Sequence, residues 1–103
     1  MNRLVFSLLT ALVAACYGSP AQAADPEIGL DVARRWCASC HVVEESQPRA
    51  SADASAFRTI ARAPGYNRQR LTTFLMEPHG MMPNMALSRL EVEHIVAYIE
   101  TLK

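Results

Sequence analysis

The stretch Arg34-Arg35-Trp36-Cys37-Ala38-Ser39-Cys40-His41 gathers the groups best suited to chemistry, two thiols two residues apart and an imidazole directly after them. Such a set serves a thiol–disulfide redox pair, half of a zinc site, a structural disulfide or the covalent attachment of haem. A redox C-x-x-C pair opens a helix within a βαβ unit. Here the pair follows a helical pattern, and no βαβ unit is legible. A structural zinc site asks for four ligands, whereas His79 and His94 stand singly and far apart. A Cys37–Cys40 disulfide would close a very small loop and constrain the unfolded chain little. C-x-x-C-H, by contrast, is the pattern of c-type haem attachment. Its two thiols reach the two vinyl groups of one porphyrin, and the adjacent histidine points at the iron.

An iron held by His41 on one side raises the question of its other side. The stretch His79-Gly80-Met81-Met82-Pro83-Asn84-Met85 offers His79, Met81, Met82 and Met85. A methionine thioether raises the reduction potential and suits electron transfer, and a histidine would make a bis-histidine site. Each methionine also has an ordinary reading as flexible core filler. Pro83 stiffens the backbone beside Met82, which favours Met82 without removing the others.

The elements that must position these groups read as helices. Asp25 is an N-cap with Pro26 at the first helical position. Ile28, Val32, Ala33 and Trp36 then recur at helical spacing. Gly29 lies on the same face, where it serves either as a close-approach point for another helix or as a tolerated first-turn glycine. A polar stretch over 44–55 reads as a loop. A short helix is expected over 56–63 with Phe57, Ile60 and Ala61 inward, ended by Pro64-Gly65. Asn67 caps a third helix over 68–76, with Leu71, Phe74 and Leu75 as its apolar stripe. Residues 81–86 are extended or irregular, because Pro83 disfavours helix at Met82. Ser88 and Glu91 form a capping box for the last helix, in which Val92, Ile95, Val96, Ile99 and Leu102 keep helical spacing. The pattern is all-α, with no convincing strand.

The chain has 103 residues, with Lys and Arg together equal in number to Asp and Glu at 10 each. That balance gives no reason to expect nucleic-acid binding. The start is basic, runs apolar from Leu4 to Tyr17 and ends in Ala21-Gln22-Ala23, the order of a secretory signal peptide. The apolar run falls short of the roughly 20 residues a membrane span needs. The expected division is therefore a signal peptide over 1–23 and one domain over 24–103, working outside the cytoplasm. Val13-Ala14-Ala15-Cys16 is a weaker lipobox alternative, with a lipid anchor at Cys16. So small a domain needs a staple, and Cys37 and Cys40 are the cysteines left to provide it.

Taken together, these residues resemble a small bacterial class I cytochrome c over nearly all of the chain after the leader. Gly29-x-x-x-Ala33 leading into Cys37-Ala38-Ser39-Cys40-His41 resembles that family's first helix and haem site. Met82-Pro83-Asn84, then Leu87-Ser88 and Glu91, resembles its ligand loop, and the stretch from Val96 to Leu102 its closing helix. The resemblance implies about four helices around one covalent haem. It makes Cys37 and Cys40 the thioether residues, and His41 and Met82 the axial iron ligands. It places Gly29 and Tyr98 at a close crossing of the first and last helices. The implied function is one-electron transfer in the bacterial periplasm with redox proteins there (a dehydrogenase, an oxidase or another cytochrome), with no substrate transformed. A haem protein with an open or bis-histidine site, active in gas binding or redox enzymology, is the alternative.

One departure concerns the proximal side. The family commonly carries a proline-rich turn whose carbonyl accepts the histidine N–H. Here Ala54-Ser55-Ala56-Phe57 stands where a proline pair is expected, which leaves Pro48 as a candidate for the part. Arg58, Arg62, Arg68 and Arg70 suggest a basic face for docking or for haem propionates, or else a solvated surface. Trp36 is expected beside the haem or in the helix crossing, and His94 at the surface.

Overall fold

The computed structural model describes residues 22–50, 54–77 and 80–103. Apart from Gln22 and Ala23, the leader expected over 1–23 lies outside them, as does Cys16. Among the described residues there are four helices and no strand: α1 (Pro26–Trp36), α2 (Phe57–Ala61), α3 (Arg68–Met76) and α4 (Arg89–Glu100). None of them is long and apolar enough to cross a membrane.

Each of the three longer helices starts where its side chains can satisfy orphan backbone N–H groups. Asp25 Oδ1 accepts from the N–H groups of Glu27 at 2.8 Å and Ile28 at 3.4 Å. Asn67 Oδ1 accepts from Arg70 N–H at 2.8 Å. At α4 the capping box is complete: Glu91 N–H donates to Ser88 Oγ at 3.2 Å and Ser88 N–H to Glu91 Oε2 at 2.8 Å. Caps of this kind contribute about 1 kcal/mol each. The short α2 has no side-chain cap, and it ends at Ala61, two residues before the expected Ala63.

The core lies where α1 crosses α4. Val32 and Ala33 on α1 meet Ile95, Tyr98 and Ile99 on α4, with Phe57, Ala61 and Val43 closing the cluster. Ile95, Ile99, Val92 and Val96 are each under 2 % exposed, and burying such a side chain contributes about 1.5–3 kcal/mol. Gly29 sets how near the two helices come. A Cβ at that position would lie 2.5 Å from the carbonyl carbon of His94 and 2.9 Å from Tyr98 Cβ. The close-approach reading of Gly29 therefore holds, and Tyr98 stands at the crossing.

The same closeness corrects the reading of His94 as a surface residue. It is 4 % exposed, and its Nδ1 accepts the Asp25 backbone N–H at 2.7 Å. The imidazole thus takes up an amide at the start of α1 that no helical carbonyl can reach. The stripe expected on α3 also needs correction. Leu71 and Leu75 are partly buried against the core, but Phe74 is 48 % exposed and faces a cleft. Thr72 is the buried residue of that helix.

Candidate functional site

The C-x-x-C-H motif is one tight turn at the end of α1. Cys37 caps the helix, its N–H donating to Ala33 O at 2.8 Å. Its own carbonyl then accepts from Cys40 N–H at 3.1 Å and from His41 N–H at 2.9 Å. This turn draws Cys37, Cys40 and His41 into the wall of a single cleft of about 420 Å³, together with Trp36, Ala54, Met81, Met82, Pro83 and Met85. The motif and the methionine loop, some forty residues apart in sequence, therefore share one cavity. His79 lies outside the described residues. Met81 is fully exposed, while Met82 and Met85 are partly buried. Trp36 lies at the cleft, half exposed, and not in the helix crossing.

The His41 ring is held by a backbone carbonyl. Its Nδ1 lies 2.6 Å from Ser55 O. A carbonyl oxygen only accepts, so the ring proton sits on Nδ1 and the lone pair of the neutral ring on Nε2. The acceptor is thus Ser55, not Pro48. The segment around it is fixed by a second bond, from Phe57 N–H to Val42 O at 3.0 Å. The Phe57 ring, 5.5 Å from the imidazole between centroids, packs beside it. No residue type marks a carbonyl acceptor, so only the position of Ser55 within 54–57 hinted at the role.

The segment after His41 is held from several sides. Tyr98 Oη donates to Val43 O at 2.6 Å. Arg34 grips Glu44 with two bonds, Nε to Oε2 at 2.6 Å and a terminal N–H to Oε1 at 2.9 Å. This guanidinium, helped by Ser46, holds the Glu44 carboxyl down at about 2. Burial, with Cys40 adding to it, pushes the Cys37 thiol up to about 11. A thiol so reluctant to ionise is a poor redox nucleophile, which counts against the thiol–disulfide reading.

The donor set fits a covalently held haem. Two thiols lie in one turn, an imidazole has its second nitrogen committed to a carbonyl, and thioethers stand on the same cavity; these are the ligand types haem iron accepts. A second cleft of about 340 Å³ is lined by Ser55, Ile60, Tyr66, Arg70, Leu71 and Phe74.

A helical fold, without strands among the described residues and built around a cavity that joins C-x-x-C-H to a methionine loop, is that of a small mono-haem cytochrome c, and the chain belongs to this family. The kinship rests on cytochrome c-552 of Bradyrhizobium diazoefficiens, which is 48 % identical over 92 residues, 89 % of this chain and 88 % of the relative. No family model matches the chain, and no solved structure does. As a cytochrome c, the protein carries covalently bound c-type haem with its iron and is an electron carrier.

The four arginines are all exposed, but two of them are tied to carboxylates. Arg58 pairs with Glu45, and Arg68 with Glu100 at 2.6 Å and Glu93 at 3.1 Å. Arg62 donates to the Leu102 carbonyl at 3.1 Å. Arg70 lines the second cleft beside Phe74. Arg58 and Arg68, two of the four, are thus paired with carboxylates where they stand.

Proposed function

We propose that the protein is a periplasmic one-electron carrier, free or as the cytochrome subunit of a dehydrogenase, and that it transforms no substrate of its own. The leader over 1–23 is removed, leaving 24–103 as the working domain. Cys37 and Cys40 hold the haem through thioethers, and His41 and Met82 are its axial ligands. The bound haem supplies a one-electron couple.

What the chain contributes is constancy. Ser55 O fixes the His41 tautomer and ring plane, so Nε2 keeps its lone pair toward the cavity in both oxidation states. The paired bonds 41–55 and 42–57 hold that ligand on a frame that need not shift when charge changes. Pro83 restricts the backbone next to Met82. Ligands that stay in place keep the reorganisation on electron gain or loss small. Trp36 and Met81, both exposed at the cavity, offer an apolar rim to a redox partner.

The observation that supports this reading best is the shared cavity of Cys37, Cys40, His41 and Met82. Optical spectra of the haem-loaded protein test it, for wild type and Met82→Ala. A low-spin spectrum with the weak far-red methionine-to-iron band, lost in the variant, is expected. A band unchanged in Met82→Ala would move the ligand to Met81 or Met85, and a low-spin wild type without the band would point to His79. A high-spin wild type that binds carbon monoxide when reduced would replace the carrier with an open-site haem protein.

A further inference from the structure

Between the proximal histidine and Arg49, the chain folds around the side chain of Gln47. Its Oε1 accepts the Val43 N–H at 2.9 Å. Its Nε2 lies 2.8 Å from Ala38 O, 2.9 Å from His41 O and 3.0 Å from Arg49 O. A carboxamide has two N–H bonds, so three carbonyls share them, one bond being bifurcated. The carbonyl of Ala38 lies inside the C-x-x-C turn, and that of His41 belongs to the ligand itself. Val43, whose amide the same group receives, is 1 % exposed, with its carbonyl taken by Tyr98. A single amide thus closes the turn that carries the thiols, the peptide of the histidine and the return of the loop. Gln47 touches neither the cavity nor the ring.

We propose that Gln47 is a positioning residue for His41: it fixes the backbone from which the imidazole projects, while Ser55 fixes the ring. This rests on the reading of His41 as an iron ligand. The donor face is the essential one. A glutamate at this position keeps the shape and the acceptor for Val43 but turns an anion toward three carbonyls. Methionine keeps much of the shape but supplies neither the donors nor the acceptor.

The test uses the haem-loaded protein with Gln47→Glu, Gln47→Met and Gln47→Ala, read by proton magnetic resonance of the iron-shifted His41 ring signals and by exchange of its Nδ1 proton. In all three variants the ring signals should shift, and the Nδ1 proton should exchange about five to thirty times faster than in wild type, the factor that corresponds to about 1–2 kcal/mol. The methionine-to-iron band should persist, which separates movement of the histidine from general loosening. Wild-type-like ring signals and exchange in Gln47→Glu would overturn the proposal, leaving Gln47 as a filler of space. If no variant matures with haem, wild type alone decides. The Gln47 carboxamide protons and the Val43 amide should then be slow to exchange, and fast exchange of both would overturn the proposal. A wild type without histidine-ligated iron would instead sink the underlying ligand assignment, a result distinct from either.

Discussion

Tyr98 Oη donates to the carbonyl of Val43 at 2.6 Å, joining the last helix to the residue two places after His41. Both residues are buried, so the bond is made away from competing water. Tyr98→Phe removes the donor and leaves a buried carbonyl without its partner. The variant should lose about 1–2 kcal/mol of stability, measured by denaturant unfolding of the haem-loaded protein. A change below about 0.3 kcal/mol would mean that water replaces the hydroxyl.

Gly29→Ala should be far more damaging than an ordinary helix substitution. Alanine's propensity would return about 1 kcal/mol, but its methyl must enter the space of the His94 peptide. Backbone cannot step aside as a side-chain tip does. A net loss of about 3 kcal/mol is expected, at the upper end of overpacking costs. Gly65→Ala is the control: open space surrounds it, and only its positive φ of 76° is strained. It should cost about 1 kcal/mol. Comparable midpoints for the two variants would refute the close-packing account.

Ala86 carries a φ of +51°, a region unfavourable to residues with a Cβ. The turn is held by Asn84 Oδ1, which accepts the Ala86 N–H at 2.9 Å. Replacing Ala86 by glycine relieves the strain at the expense of a more flexible unfolded chain. A net gain of about 0.5 kcal/mol is expected, and thermal unfolding of Ala86→Gly will read it. Asn84→Ala should act in the opposite direction, since it removes the acceptor that holds the strained turn.

The Arg34–Glu44 pair predicts an acid limb of stability. In the folded chain the Glu44 carboxyl titrates at about 2, against an ordinary 4.5. Between these values the unfolded chain binds a proton that the folded chain refuses, so stability falls as pH drops from about 4.5 to about 2. Above that window the contribution is fully present. Glu44→Gln should lose stability at neutral pH and show a flatter profile across the window. A profile parallel to wild type would show that the pair is not carrying the dependence.

Much of the site could be read from residue types, because the chemistry demands particular ones. Thiols, imidazole and thioether cannot be substituted by shape, so Cys37, Cys40, His41 and the methionine cluster stand out in the chain. The caps at Asp25, Asn67 and Ser88 were legible for the same reason. The Ser55 acceptor was not, since every residue carries a carbonyl and its selection is decided by folding. Gln47 gave no signal either, its four partners all being main chain. His94 misled because a histidine among glutamates looks solvated; only the depth of the α1–α4 crossing, set by Gly29, puts its ring against Asp25. Phe74 kept helical spacing, yet the surface it faces is a cleft instead of the core.

The α1–α4 crossing also bears on when the protein can fold. Gly29 and Val32 find their seats only against His94, Ile95 and Tyr98, so the stabilising contacts join segments more than fifty residues apart in the chain. Local helices alone bury little, and closing so long a chain segment must precede the reward. Synthesis must therefore pass α4 before the core can close. Until then Cys37 lacks Ile95, Tyr98 and Ile99 to cover it, and the thiols of its turn stay open to any machinery that must act on them.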